Sequence, residues 1–331
     1  MNELTHKLLV LSLLRGVGPA TLRKLALLPE FAEQSIEHLA MQVPKLARAL
    51  AAPDARQLAS AEAAHQCGMA SKHAARIISL FDPEFPLLLA AVSDAPPVLY
   101  VAGKLPEPDQ EAVAIVGTRE PTSHGAQIAT RISTDFAGHG WSIVSGLALG
   151  CDAAAHSSCL DAGGHTVAVM AHGLQTIMPV QHRTLAERIL GCGGALVSEF
   201  PFGQEPQAPL FARRDRTQAA MARGVVLIQS SLNGGSLHAA RAALDYRRWL
   251  AVPYPTARDR LNGGTTIAAN MVLAEGTPEQ QQSLLDCDID ALARITILRD
   301  RSGYTTLRAQ TPSGMHDMND GEYVSRGTLL L

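Results

Sequence analysis

Aromatic residues are scarce in this 331-residue chain, at 4%. Nothing here resembles the aromatic-rich surface on which single strands commonly stack. An excess of positive charge is also missing: 28 Lys and Arg stand against 31 Asp and Glu, a net charge of −3. No global field draws in nucleic acid, so any polyanion must be met by a local basic patch. The five cysteines, at 67, 151, 159, 192 and 287, form no CxxC pair and no Cys/His metal spacing. That scatter fits reduced thiols rather than a disulfide framework, and no metal site is expected. The longest early apolar run, Leu8 to Leu13, is too short to span a bilayer and lacks a small-residue cleavage site. We read it as the first helix of a cytoplasmic protein with no membrane partner. There is no GxGxxG fingerprint, no P-loop lysine and no GxSxG elbow, so neither a nicotinamide cofactor nor any other cofactor is expected.

What is present is apolar mass, 47% of the chain, enough for a sizeable core. Residues 1–75 are rich in Ala and Leu at helical spacing and predict a small all-α domain. Within it, Leu13 to Leu22 contains Gly16-Val17-Gly18-Pro19, a turn of helix–hairpin–helix character and equally of a plain helical hairpin. Residues 76–110 read as a connector, with strands at Ile77–Leu80 and Val98–Val101 and a Pro-rich linker at 105–110.

From residue 111 to 276 the rhythm changes. Short apolar runs at 112–116, 142–144, 166–170, 195–197, 225–228 and 249–252 alternate with helical stretches near 124–138, 152–162, 182–190, 214–222 and 236–247. This is the pattern of a buried parallel sheet, and it predicts a doubly wound, mostly parallel, Rossmann-like α/β fold. Residues 277–331 break the rhythm. They predict a short acidic helix or loop, a hairpin from 295–298 and 304–307, and a poorly ordered polar tail at 315–322, with no function assigned.

Ligands of doubly wound sheets bind beyond the carboxyl ends of the strands. Three of the turns there combine glycine with a small hydroxyl residue: Gly117-Thr118-Arg119 with Ser123 and Gly125, Ser145-Gly146, and Ser230 to Ser236 with Gly234-Gly235; the third and fourth strands are followed by Ala171-His172-Gly173 and Ser198-Glu199-Phe200-Pro201. Glycine lets a phosphate approach the backbone, and helix N-termini favour negative charge. Arg119 and the run Arg213-Arg214-Asp215-Arg216 supply cations, with Asp215 positioned to orient a neighbour. His156, four residues after Asp152, reads as a hydrogen-bonded packing residue. No catalytic residue is nominated.

These residues resemble a family, that of DNA-processing protein A (DprA/Smf). The likeness runs through Asp82-Pro83-Glu84-Phe85-Pro86, Asp94 to Gly103, Val113 to Arg119, Ser145 to Ala148 with Gly150, and Asp152 with Ala155-His156. It continues through Gly194 to Pro201, Phe211 with Arg214 and Arg216, Gly235-Ser236-Leu237, Ala239-Ala240-Arg241 and Val252-Pro253. The resemblance implies a dimer that binds single-stranded DNA in a basic Rossmann pocket and helps load a RecA-type recombinase in natural transformation. It implies DNA or phosphate contacts from Gly117, Thr118, Arg119, Ser145, Gly146, Arg213, Arg214, Arg216, Gly235 and Ser236.

This chain departs from the family pattern in three places. Leu149 stands where the family has arginine, Asp215 where it has asparagine, and Gly234 to Ala240 replaces Ser-Gly-Ser-Leu-x-Thr-Ala. The pocket thereby loses two positive charges, so weaker binding that fades at lower salt is expected from a diverged member. The alternative reading is a nucleotide sensor with the same crevice adapted to a small phosphate ligand. A third class, the resembling phosphoribohydrolases, carries a glutamate after its glycine-rich turn. Residues 234–243 hold no carboxylate, so an enzyme is not expected.

Overall fold

The computed structural model describes residues 1–262 and 264–310. The polar tail expected at 315–322 lies outside the described residues. The chain begins with five helices: α1 (Glu3–Ser12), α2 (Pro19–Ala26), α3 (Ile36–Gln42), α4 (Pro44–Leu50) and α5 (Ala55–Lys72). Asn2 caps α1 by accepting from Thr5 N at 2.7 Å. The predicted hairpin turn is present: Gly16 takes φ +90°, Gly18 caps α2 and Pro19 occupies its first turn.

Next come β1 (Ala75–Ser79), the short helix α6 (Leu87–Ala90) and β2 (Val98–Gly103). The alternating body follows as β3 (Ala112–Val116), α7 (Ser123–Gly138), β4 (Ser142–Ser145), α8 (Cys151–Asp161), β5 (Thr166–Met170), α9 (Arg183–Gly191) and β6 (Ala195–Ser198). It continues with α10 (Ala208–Ala220), β7 (Gly224–Leu227), α11 (Leu237–Asp245) and β8 (Trp249–Pro253). The described chain closes with α12 (Ala257–Asn262), α13 (Ala268–Glu275), α14 (Pro278–Leu285), β9 (Ile295–Leu298) and α15 (Ser302–Ala309).

The nine strands of the described residues join one sheet in the order β1-β2-β6-β5-β4-β3-β7-β8-β9. Pairing is parallel from β6 through β9, while β1 and β2 add to the β6 edge antiparallel. The doubly wound, mostly parallel α/β fold expected from the sequence is therefore present. Alternate residues of β3 show why its strand reads as one apolar run. Val113 and Ile115 pack with Ile132 and Phe136 of α7, while Ala114 and Val116 face Ala219, Ala239 and Ala243 of α10 and α11. Helices that pack through alanine approach the sheet closely.

The N-terminal helices are a layer on this sheet rather than a separate ball. Leu8, Leu11, Leu25 and Phe31 share one core with Ile77, Tyr100, Met170, Leu196 and Phe202. Two polar clasps fix the contact: Thr5 Oγ1 lies 2.7 Å from Ser79 Oγ, and Gln66 exchanges hydrogen bonds of 3.0 and 2.8 Å with the backbone of Phe202.

Two boundaries differ from expectation. Helix α10 begins at Ala208, not near 214, because Pro209 suits a first helical turn. The hairpin expected at 295–298 and 304–307 does not form. Residues 295–298 pair parallel with β8, and 304–307 belong to α15, which buries Tyr304 and Leu307 at a helical spacing of three.

Candidate phosphate-binding crevice

From β3 the chain steps outward through β4, β5 and β6, then returns to place β7 on the other side of β3. Strand order reverses between β3 and β7, and the crevice beyond their carboxyl ends is the place where such sheets bind ligands. Here it is a cavity of about 290 Å3 lined by Gly117, Thr118, Arg119, Asp152, Phe211, Arg214, Asp215, Gln218, Ser230, Ser231 and Gly234 to Ser236, among others.

Each wall is built from local constraints. After β3, Thr118 N donates to Gln229 O at 2.8 Å and Thr118 O accepts from Cys151 N at 3.2 Å, pinning the first loop between β7 and α8. Gly150 starts α8 at φ +78°, where a Cβ would lie 2.5 Å from the carbonyl oxygens of Thr118 and Arg119. Only glycine permits that approach. The turn after β4 is held by Asp152, whose Oδ2 accepts from Gly146 N at 3.1 Å and Ala148 N at 3.3 Å.

Arg214 forms the floor. Its Nη1 donates to Gly146 O at 2.5 Å and Val169 O at 2.7 Å, and its Nε donates to Asp215 Oδ1 at 2.9 Å. Gln218 Nε2 donates to the same carboxylate oxygen at 3.1 Å. So Asp215 does orient its neighbour, as its position suggested. Two guanidinium groups approach the Phe211 ring, that of Arg119 at 5.7 Å and that of Arg214 at 5.8 Å from its centroid.

Opposite, Ser236 Oγ donates to Ser230 Oγ at 3.1 Å. The amides of Leu237 and His238 turn back onto Gly234 O and Gly235 O. Those of Gly235 and Ser236 make no hydrogen bond among the described residues, and the space above Gly235 is open. These are donors poised at the start of a nine-residue helix. Arg119 is exposed at the mouth and makes no ion pair among the described residues.

Burial sets the protonation of the floor. It pushes the Asp152 carboxyl up to about 6, against the pull of Arg214. Burial also raises Asp215, with Arg214 opposing. His156 is buried, bonds Thr166 Oγ1 through Nδ1 at 2.7 Å, and is pushed down to about 3 by burial. It is a neutral packing residue.

Six of the ten sequence-nominated residues meet in the crevice: Gly117, Thr118, Arg119, Arg214, Gly235 and Ser236. Gly146 borders an adjoining niche and gives its carbonyl to Arg214. Ser145 is buried, its hydroxyl donating to Ile115 O at 2.6 Å, so it holds the strand and not a ligand. Arg213 and Arg216 leave the crevice altogether. Both pair with buried Glu199, at 2.9 and 3.1 Å, and Arg216 also holds Asp94 at 2.9 Å. The helical period of α10 accounts for this split, since residues one apart face different ways. Leu149, 43% exposed, stands on the rim of the niche. Phe211, Asp152, Gln218, Ser230 and Ser231 were not nominated. For Phe211 and Gln218 the available signal was their spacing on α10, three before and four after Arg214.

A doubly wound sheet with a glycine-walled, arginine-floored crevice at its switch point defines the class, a Rossmann-like α/β protein with a candidate ligand crevice. Residues 76–285, well over half of the chain, match the family model of DNA recombination-mediator protein A, and the chain belongs to that family. It is 41% identical over 171 residues to Protein Smf of Synechocystis, covering 50% of this chain and 43% of that one. Against Protein Smf of Escherichia coli it is 40% identical over 176 residues, covering 53% and 47%. The matched stretch thus spans about half the length of these curated relatives. Among solved structures, DNA processing protein A from Streptococcus pneumoniae superposes with TM-score 0.58 and 23% identity, covering 83% of this chain and 99% of that one. The Helicobacter pylori protein, described for its single-stranded DNA binding mode, gives 0.57 and 23%, covering 72% and 97%. At that identity the likeness establishes the fold.

Proposed function

We propose that this protein binds single-stranded DNA across the β3–β7 crevice and acts, without catalysing a reaction, as a recombination mediator. The observation that carries the reading is the pairing of an unneutralised Arg119 with the free amides of Gly235 and Ser236 across an open cavity. Donors on both walls fit a phosphate, and the lack of a general positive field matches binding through that patch. Family membership and the strand-binding relative support DNA over other polyanions. Loading of a RecA-type recombinase, a role in natural transformation, action as a homodimer and a cytoplasmic site belong to the same proposal.

Its test is fluorescence anisotropy of a labelled single-stranded oligonucleotide at two salt concentrations, for wild type and Arg119→Ala. Saturable binding that weakens with salt and with Arg119→Ala is expected. Absence of binding at low salt would refute the reading.

A further inference from the structure

The carboxyl edge of the sheet carries a second group of cations, outside the crevice. Strands β3, β7, β8 and β9 lie side by side and parallel, so the residues that follow them emerge on one edge. Tyr254 directly follows β8 and Arg299 directly follows β9, and Tyr254 N donates to Leu298 O at 2.9 Å. The Arg299 guanidinium stacks on the Tyr254 ring, 4.2 Å from its centroid, with that of Arg260 at 5.2 Å. Arg258 and Arg260 flank Asp259 on α12, and Arg301 lies just beyond Arg299. The nearby carboxylates are already engaged. Glu275 is taken by Arg260 and the Tyr254 hydroxyl, and Asp300 accepts from Ser302 N at 2.8 Å. Asp259 is buried and turns inward, accepting from Thr122 Oγ1 and meeting His124 Nδ1, each at 2.7 Å. Arg258, Arg299 and Arg301 are exposed and form no ion pair among the described residues.

We propose that Arg258, Arg299 and Arg301 hold the phosphodiester backbone of the single strand where it leaves the crevice, with Tyr254 positioning Arg299. This rests on the crevice being the strand-binding site. Stacking on tyrosine steadies a guanidinium while leaving its edge of N–H donors to solvent, so less side-chain freedom is lost when it meets a phosphate. Asp259 ties the cluster to the crevice: Thr122 caps α7 at the end of the loop that carries Arg119, so α12 is fixed to that wall. Strand β9 stands two strand spacings from β7, about 10 Å. An acidic protein would have to find this small patch on its own. A strand anchored in the crevice already holds its next phosphates beside it, so the second contact is intramolecular. Such contacts read no base, and each adds to the salt dependence of binding.

The test uses the full chain and a labelled tract of about twenty thymidines, longer than a single-strand site on one fold of this size. Affinity is read across a salt series. Arg299→Ala is expected to weaken binding about fivefold at low salt and to lower the salt slope by about 0.7. Arg258→Ala together with Arg299→Ala should lower the slope by about 1.4. Arg299→Lys keeps the charge and should keep the slope. Combined with Arg119→Ala, the loss from Arg299→Ala should add in full, as for separate contacts on one strand. A merely structural role for Arg299 would lower the urea midpoint and leave the salt slope as in wild type. An unchanged slope in Arg299→Ala, or a slope that falls equally in Arg299→Lys, would overturn the inference while wild-type binding kept the crevice reading intact. Should the wild type bind no tract at low salt, the crevice reading fails and this one with it.

Discussion

Helix α10 carries two arginine-rich regions with opposite fates. On one side Arg214 enters the crevice and satisfies two backbone carbonyls and one carboxylate. On the other, Arg213 and Arg216 are neutralised by Glu199 and Asp94. Three arginines within four positions look like one basic patch in sequence, yet the helix distributes them between a ligand site and a structural ion-pair cluster. What makes a cation available is the absence of a carboxylate in its path. By that measure Arg119, away from the run, is the more accessible cation of the crevice.

The sharpest way to break the contrast is Arg214→Ala. It strands Gly146 O, Val169 O and the buried carboxylate of Asp215, and should destabilise by about 3–5 kcal/mol in urea unfolding. Glu199→Ala acts on the other cluster. Glu199 is buried and its carboxyl is raised by burial despite both arginines. Losing it should cost about 2 kcal/mol, less than Arg214→Ala because Arg216 keeps Asp94 and Arg213 is partly exposed.

A pH series sharpens the comparison further. The Asp152 carboxyl is raised from 3.8 to about 6, so the folded state binds the proton more tightly than the unfolded chain. Its contribution to stability is complete below about pH 4 and is lost as pH rises through 6, on the order of 3 kcal/mol. Asp152→Asn keeps an acceptor for Gly146 N and Ala148 N and should remove that slope, seen as the difference between the two pH–stability curves.

Smaller effects separate binding from folding. Arg119→Ala should leave unfolding within about 0.5 kcal/mol of wild type while weakening strand binding about tenfold and lowering the salt slope by about 0.7. Arg213→Ala should cost less than about 1 kcal/mol and leave strand affinity unchanged, since its exposed guanidinium faces Glu199 and Phe200.

Much of the fold was legible because its signal is local. Residues 112–116 and 166–170 are buried on both faces, so each reads as an unbroken apolar run. The antiparallel joining of β1 and β2 to β6 was not legible. Their apolar runs announce strands, but a partner more than ninety residues away leaves no mark in them. The segment 304–307 misled because Tyr304-Thr305-Thr306-Leu307 has strand-forming residues, and packing against α7 overrode that propensity. In the site, glycines and Arg119 were readable from their place after strands. The outward turn of Arg213 and Arg216 depends on how α10 is rotated about its axis against the sheet, which tertiary packing sets and the sequence does not display.

Gly146 and Arg214 carry a consequence for how such proteins diverge. A Cβ on Gly146 would sit 2.1 Å from Arg214 Nη1, and the same guanidinium bonds the Gly146 carbonyl. Each residue occupies the volume that the other vacates. The constraint runs one way: a side chain gained at 146 requires the Arg214 guanidinium to move off the Gly146 carbonyl or be lost, whereas loss of the arginine leaves position 146 free to change.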